Sequence, residues 1–258
     1  MAEGKMQIPP KVYSIAEERG WGGSAWIDKT SVPRYSQAGS YVYLGGLVTT
    51  AGWRGPLLFI RVAQPWREVA TMRHGRRITV RYDRDHGSVI TYKSERFDFT
   101  FVDGSSAGFY VGWVPDRTLA SDYFRYGVSE DRSELNTHAG HAAAWVADKV
   151  TEALLPRLRQ ELEEGHRVDF GALSATLTEV TYGRDSFSWN DISTLKLSAP
   201  WLSNDELRKH DVSHREATLN LSWKTPTGTD GHASLTTSEV WNVKALQELH
   251  QILTSPGQ

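Results

Sequence analysis

Two acidic residues that could be read as a pair for acid–base work sit in two look-alike segments, QPWREVATMR at 64–73 and FSWNDISTLK at 187–196. Eight consecutive positions match in kind, from Trp66/Trp189 to Arg73/Lys196, and Glu68 falls on Asp191. Acid–base work across a bond needs two carboxylates roughly 5–10 Å apart. Nothing in the chain brings these two together, because each lies in its own half. A structural role accounts for the same positions. Trp66 and Val69, like Trp189 and Ile192, are three apart and would point to opposite faces of an unbroken strand. If both are core residues, the polar pairs Arg67-Glu68 and Asn190-Asp191 must form a corner between two strands.

Three other groups could carry chemistry. Arg73, Arg76, Arg77 and Arg81, with Arg84 beyond them, lie in RHGRRITVRYDRDHG. Guanidinium forks match phosphate oxygens, so this run is the candidate for an anion or lipid headgroup, although Asp83 and Asp85 dilute its charge. The same arginines could equally solvate an outer strand face. His138/His141 and His210/His214 have the three- and four-residue spacings that share a helix face. Neither pair carries the Glu of a metalloprotease helix, and no metal is expected. Trp113, Tyr123 and Tyr126 lie in a polar, irregular stretch and could line an apolar cleft between the two halves. The Gly-rich pieces GWGG and LGG lack the phosphate-loop context, and no GxSxG elbow occurs.

Elements that would position these groups follow from periodicity. Residues 1–37 read as an irregular lead-in with a short helix near Ser14–Arg19, docked through Trp21 and Trp26. Short β-branched or aromatic runs follow at 40–50, 56–63, 69–74, 77–83, 88–95, 96–103 and 108–113. Polar and apolar residues alternate in RITVRYD and RFDFTFVD, as in half-buried antiparallel strands. Then the period changes. Val146, Val150, Leu154, Leu158 and Leu162 recur every fourth residue and predict a long amphipathic helix. Thr137 is its expected N-cap, Gly165 its stop, and Pro156 a kink or junction. Strand signals resume from 167 to 240, and Asn242 is the expected N-cap of a closing helix with Val243, Leu246, Leu249 and Leu253 on one face. The order strands, helix, strands, helix predicts an α+β chain, mainly antiparallel β, made of two sheet units each closed by a C-terminal helix. The expected boundaries are a lead-in at 1–37, a first domain at 38–165 and a second at 166–258.

Composition bounds the function. The 258 residues, 39% hydrophobic and 23% charged, are globular in type. A net charge of −2 gives no bias toward nucleic acid. With no cysteine, thiolate catalysis, disulfides and thiolate-bound metals are excluded. No 18-residue apolar run is present and the first residues lack an apolar core, so no spanning helix or secretory signal is expected, and a cytoplasmic location is.

The helix VTEALLPRLRQELEEGHRVDFGALSAT, the corner FSWNDISTLKLS and the final VWNVKALQELHQIL resemble a family of actinobacterial proteins with pleckstrin-homology-like (PH-like) domains. The resemblance covers 145–258 and extends to 36–113; the long insert at 200–215 departs from it. It implies two PH-like barrels and no accepted activity. The expectation is therefore a non-catalytic binding or scaffold protein with no cofactor, engaging a protein or an anionic phospholipid through the Arg73–Arg81 run. The alternative is a small-molecule enzyme that does acid–base chemistry in an aromatic-lined cleft between the domains.

Overall fold

The structure, a computed structural model, describes residues 9–22, 24–28, 39–51, 59–83, 88–112, 116–119, 138–198, 212–225 and 228–255. The chain is α+β, with mostly antiparallel sheets and three helices among the described residues. No closed barrel is found among them; the strands form separate open sheets. Contacts divide the chain into two compact units. Unit 1 is Met1–Ala70 with Asp98–Tyr110, and unit 2 is Thr71–Phe97 with Val111–Gln258.

In unit 1, helix α1 (Pro10–Glu18) starts on a proline, whose missing N–H is one of the donors a first turn leaves unpaired anyway. Val12 and Ala16 are buried on its inner face with Trp21, Tyr41, Tyr43 and Val48, and Ile15 packs at the edge. The Arg19 guanidinium lies 5.1 Å over the Trp21 ring and donates 2.7 Å to the Ala63 carbonyl. Residues 9–22 of the lead-in thus hold a docked helix where its Gly, Pro and Ser content predicts irregular chain. It also supplies β1 (Ser24–Asp28), which pairs with β2 (Gly39–Tyr43) in a sheet completed by β3 (Gly46–Ala51) and β4 (Phe59–Pro65), in the order β1-β2-β3-β4.

Two segments expected as pairs of short strands are continuous. Strand β5 runs Val69–Asp83 and β6 runs Ser88–Phe101. Gly75 does not break β5, because its φ is not in the left-handed region that a turn there would use. On β6 the alternation is as read: Glu95, Phe97, Phe99 and Phe101 are buried, while Arg96 and Thr100 are exposed and Asp98 is half-buried. Strand β7 (Ser106–Gly112) follows, and β8 (Asp116–Leu119) pairs with β6.

In unit 2, α2 (His138–Glu163) is one helix, with Val146, Val150, Leu154, Leu158 and Leu162 buried along one stripe. It runs through Pro156, whose ring sits on the exposed side, so the expected junction is absent. Gly165 ends it at φ +82, with Gly165 N–H donating to the Leu162 carbonyl and His166 N–H to that of Glu161. Strands β9 (Val168–Asp169), β10 (Leu173–Ala175), β11 (Glu179–Tyr182) and β12 (Asp185–Ser188) form a second four-stranded sheet. Gly171 allows close approach there: a Cβ would lie 2.3 Å from the Glu239 carbonyl oxygen. Strand β13 (Ile192–Ser198) pairs with β15 (Thr218–Lys224), which pairs with β16 (Asp230–Thr236). The end of the 200–215 insert is β14 (Val212–Glu216), paired with β5 from Arg77 to Arg81. Helix α3 (Val243–Thr254) buries Ala245, Leu246 and Leu249.

Among the described residues, each half thus reads as four strands, a Trp-led 3-10 turn, three further strands and a helix, with β8 and β14 as additions. The two turns are Trp66–Glu68 and Trp189–Asp191, each between two strands. Both indoles are buried. Trp66 Nε1 donates to the Tyr43 carbonyl at 3.1 Å, and Trp189 Nε1 to the Thr176 carbonyl at 3.0 Å. The corner inferred from the three-residue Trp-to-Val/Ile spacing is present in both halves.

Candidate ligand-binding cleft

Unit 1 contains a cleft of about 470 Å³. Its walls come from the ends of β2 (Gly39, Ser40) and β3 (Thr49, Thr50), from Arg61 of β4, from Asp98–Thr100 of β6 and from Ser106–Gly108 of β7. The volume is within the range of small-molecule sites, ~300–1,000 Å³. Five hydroxyl side chains line it: Ser40, Thr49, Thr50, Thr100 and Ser106. Two of them are already oriented. Ser40 Oγ donates to the Gly108 carbonyl at 3.3 Å, and Thr50 Oγ1 accepts from Gly39 N–H at 3.1 Å. Behind Thr50, burial pushes the Tyr41 phenol above its ordinary value, an effect its hydrogen bond with Thr50 partly offsets.

Arg61 reaches the cleft through a register irregularity. Thr49 faces Val62 and Thr50 faces Ile60, so Arg61 is the extra residue of a β-bulge. Bulges re-aim a side chain relative to regular alternation. The Arg61 guanidinium has neither an ion pair nor a hydrogen bond among the described residues. Asp98, on the β6 wall, is half-buried and has an interaction of its own.

Three of the arginines singled out from the sequence are occupied within unit 2. Arg73 lies 5.3 Å over the Trp241 ring. Arg76 Nε is 3.3 Å from Glu95 Oε1, and Arg77 Nη2 is 3.0 Å from Glu216 Oε1. The backbone of Arg81 lies in β5 opposite Val212, but its side chain is outside the described residues, as is Arg84. Glu95 also contacts His74 Nε2, and the His74 ring stacks on Phe97 at 4.2 Å. An inward Glu held between a histidine and an arginine is a satisfied core charge. Its position was legible, since Glu95 has the same strand parity as Phe97, Phe99 and Phe101.

Trp113, Tyr123, Tyr126, Thr137 and His210 lie outside the described residues. His138 and His141 open α2, with side chains that are not described. His214 is in β14 opposite Thr79, so the helical spacing supposed for His210/His214 does not apply. Among the described residues no group of three or more His, Asp or Glu could hold a metal ion. No described helix is long and apolar enough to cross a membrane.

Asn242 departs from the role expected of it. It precedes α3, but its side chain makes no cap; its φ is +52, in the left-handed region. Its Oδ1 accepts from Met72 N–H at 2.7 Å, and its own N–H donates to the Met72 carbonyl at 2.8 Å. The sequence signal for this clip is weak, because Asn tolerates left-handed backbone and helix caps alike. Arg61 had a visible signal, a lone charge inside PLLFIRVA, while the bulge that aims it did not.

No protein-family model matches the chain, and a comparison with curated proteins finds no match either.

Proposed function

We propose that this chain is a non-catalytic ligand-binding protein built of two PH-like sequence repeats in tandem, and that the cleft in unit 1 holds the ligand. Support for the tandem PH-like reading is the order four strands, Trp corner, three strands, helix, met twice with matched buried indoles. The observation that carries the binding reading is the cleft, with its hydroxyl-rich walls and an uncommitted guanidinium. Binding is favoured over acid–base catalysis because, among the described residues, the lining offers one carboxylate and no histidine, tyrosine or second acid to take over a proton. A protein or anionic-lipid partner at the Arg73–Arg81 run is less supported, since Arg73, Arg76 and Arg77 have intramolecular partners.

The test is a mixed small-molecule library followed by two-dimensional amide NMR of the full chain. Binding should shift the amides of 39–40, 49–50, 61 and 98–108. Ala107→Phe, which fills the cleft, should abolish those shifts, while Lys224→Ala on β15 should not. A library that moves only other amides, or none, would remove the cleft from consideration.

A further inference from the structure

If the cleft is a binding site, the groups still open on its walls specify what it takes. Several polar groups of the lining are already engaged. Thr50 Oγ1 accepts from Gly39 N–H at 3.1 Å and donates to the Gly39 carbonyl at 3.4 Å, Ser40 Oγ donates to the Gly108 carbonyl, and Asp98 has an interaction of its own. Among the described residues, the side chains of Arg61, Thr49, Thr100 and Ser106 have no such partner. Arg61 can only donate, and the three hydroxyls can all donate. A guest that matches them must therefore accept hydrogen bonds and bring negative charge. The engaged Asp98 carboxylate still repels a second negative charge, so one charge is the best match. Arg61 is exposed, and an exposed ion pair is weak on its own. Its planar fork, which takes a carboxylate through two bonds, and the hydroxyls around it strengthen the contact. The β-bulge is the second observation: an irregularity in an otherwise regular β3–β4 ladder places this open cation on the cleft wall.

We propose that the unit 1 cleft takes a singly charged oxyanion, the carboxylate of a small hydroxylated acid, held by Arg61 and by the hydroxyls of Thr49, Thr100 and Ser106. This rests on the cleft being a binding site and goes beyond it by naming the ligand class. The volume of about 470 Å³ leaves room for a sugar acid.

The experiment titrates the full chain at fixed ionic strength with gluconate, with gluconamide, which keeps the shape without the charge, and with glucarate, which adds a second carboxylate. Two-dimensional amide NMR locates the binding. Gluconate should shift the amides of 49–50, 61, 100 and 106–108. Gluconamide should bind about fivefold or more weaker, a loss between that of an exposed ion pair and that of a charged hydrogen bond. Glucarate should bind no tighter than gluconate. Arg61→Gln should bring gluconate down to the affinity of the amide and leave the amide unchanged. Arg61→Lys, which keeps the charge without the fork, should fall between Arg61→Gln and the parent. Circular dichroism checks the folding of both variants. Equal affinity for gluconate and gluconamide, or discrimination that survives Arg61→Gln, would overturn the oxyanion assignment while leaving the cleft as a site. Tighter binding of glucarate would overturn the single charge. If none of the three shifts the cleft amides, the oxyanion assignment falls, and the cleft reading stands only if a library compound shifts them.

Discussion

The two Trp corners share a backbone and a core but not a cap. At Trp189–Asp191, Ser188 Oγ accepts from Asn190 N–H and Asp191 accepts from Ser188 N–H, a reciprocal capping box. At Trp66–Glu68 the residue before the indole is Pro65, which has no such side-chain bond. Both turns nevertheless form, and both place the next aliphatic residue, Val69 or Ile192, in the core. The repeated feature is therefore the buried indole with its bond to a backbone carbonyl, and the cap is a local addition. The turn forms with either set of polar neighbours, so the corner alone accounts for the alignment of Glu68 with Asp191.

The most severe way to break the comparison is to remove the anchors. Trp66→Ala and Trp189→Ala should each cost about 3–5 kcal/mol, the range for truncating a buried aromatic. Each would also leave a carbonyl, of Tyr43 or Thr176, without its indole donor. Denaturant titration followed by far-ultraviolet circular dichroism measures both. Costs that differ by more than the spread of that range would show that the corners are not equivalent supports.

Just past each corner, α3 reaches back to the matching strand position. Met72 and Leu195 occupy the same place in the repeat. Met72 N–H is held by Asn242, and the Leu195 carbonyl accepts from Gln247 Nε2 at 3.1 Å. The Asn242 bond is buried and the Gln247 bond is half-buried. Asn242→Gly keeps the left-handed backbone comfortable and removes the acceptor that Met72 N–H uses, so it should cost about 1–3 kcal/mol, the desolvation of an orphaned amide. Gln247→Ala should cost about 1 kcal/mol or less, because water can reach the freed carbonyl. Hydrogen exchange at Met72 is the direct readout; if its amide is as protected in Asn242→Gly as in the parent, the clip is not what holds it.

The caps sharpen the contrast at a smaller scale. Ser188→Ala should destabilise by about 1 kcal/mol. Pro65→Ser would create S-x-x-E with Glu68, yet the released proline constraint offsets the gain, so the net change should stay within about 0.5 kcal/mol. A Pro65→Ser variant stabilised well beyond that would mean the first corner lacked something it needed.

Much of this frame was legible in the residues. The four-residue recurrence from Val146 to Leu162 specified α2, and the alternation in RFDFTFVD specified which face of β6 is buried. The Trp-to-Val/Ile spacing specified the corners. The less legible parts depend on register and distant partners. Gly75 read as a break but takes an ordinary strand conformation within β5. The basic run read as a surface for anions, but Glu95, Glu216 and Trp241, 19 to 168 positions away from the arginines they meet, were invisible to local spacing. The aim of Arg61 is not legible in the sequence, because a β-bulge is a property of two strands together and leaves no mark on either one alone.

The last difference between the corners is a titratable neighbour. His250 of α3 stands beside Trp189, ring centroids 6.3 Å apart, and burial lowers its pKa below the ordinary 6.5, with a hydrogen bond to the Trp189 backbone working the other way. A histidine depressed in the fold is favoured neutral, so the unfolded chain takes up its proton first as pH falls. Its contribution is intact above about pH 6.5 and is lost as pH drops from there through the folded value, the reverse of a histidine stabilised by an acid. Unfolding midpoints measured from pH 7.5 to 5.5 should fall less steeply in His250→Gln than in the parent, because Gln cannot take up the proton. Trp66→Phe, at the corner with no such neighbour described, should leave the parent slope unchanged. Identical slopes for His250→Gln and the parent would mean that the Trp189 corner feels no proton.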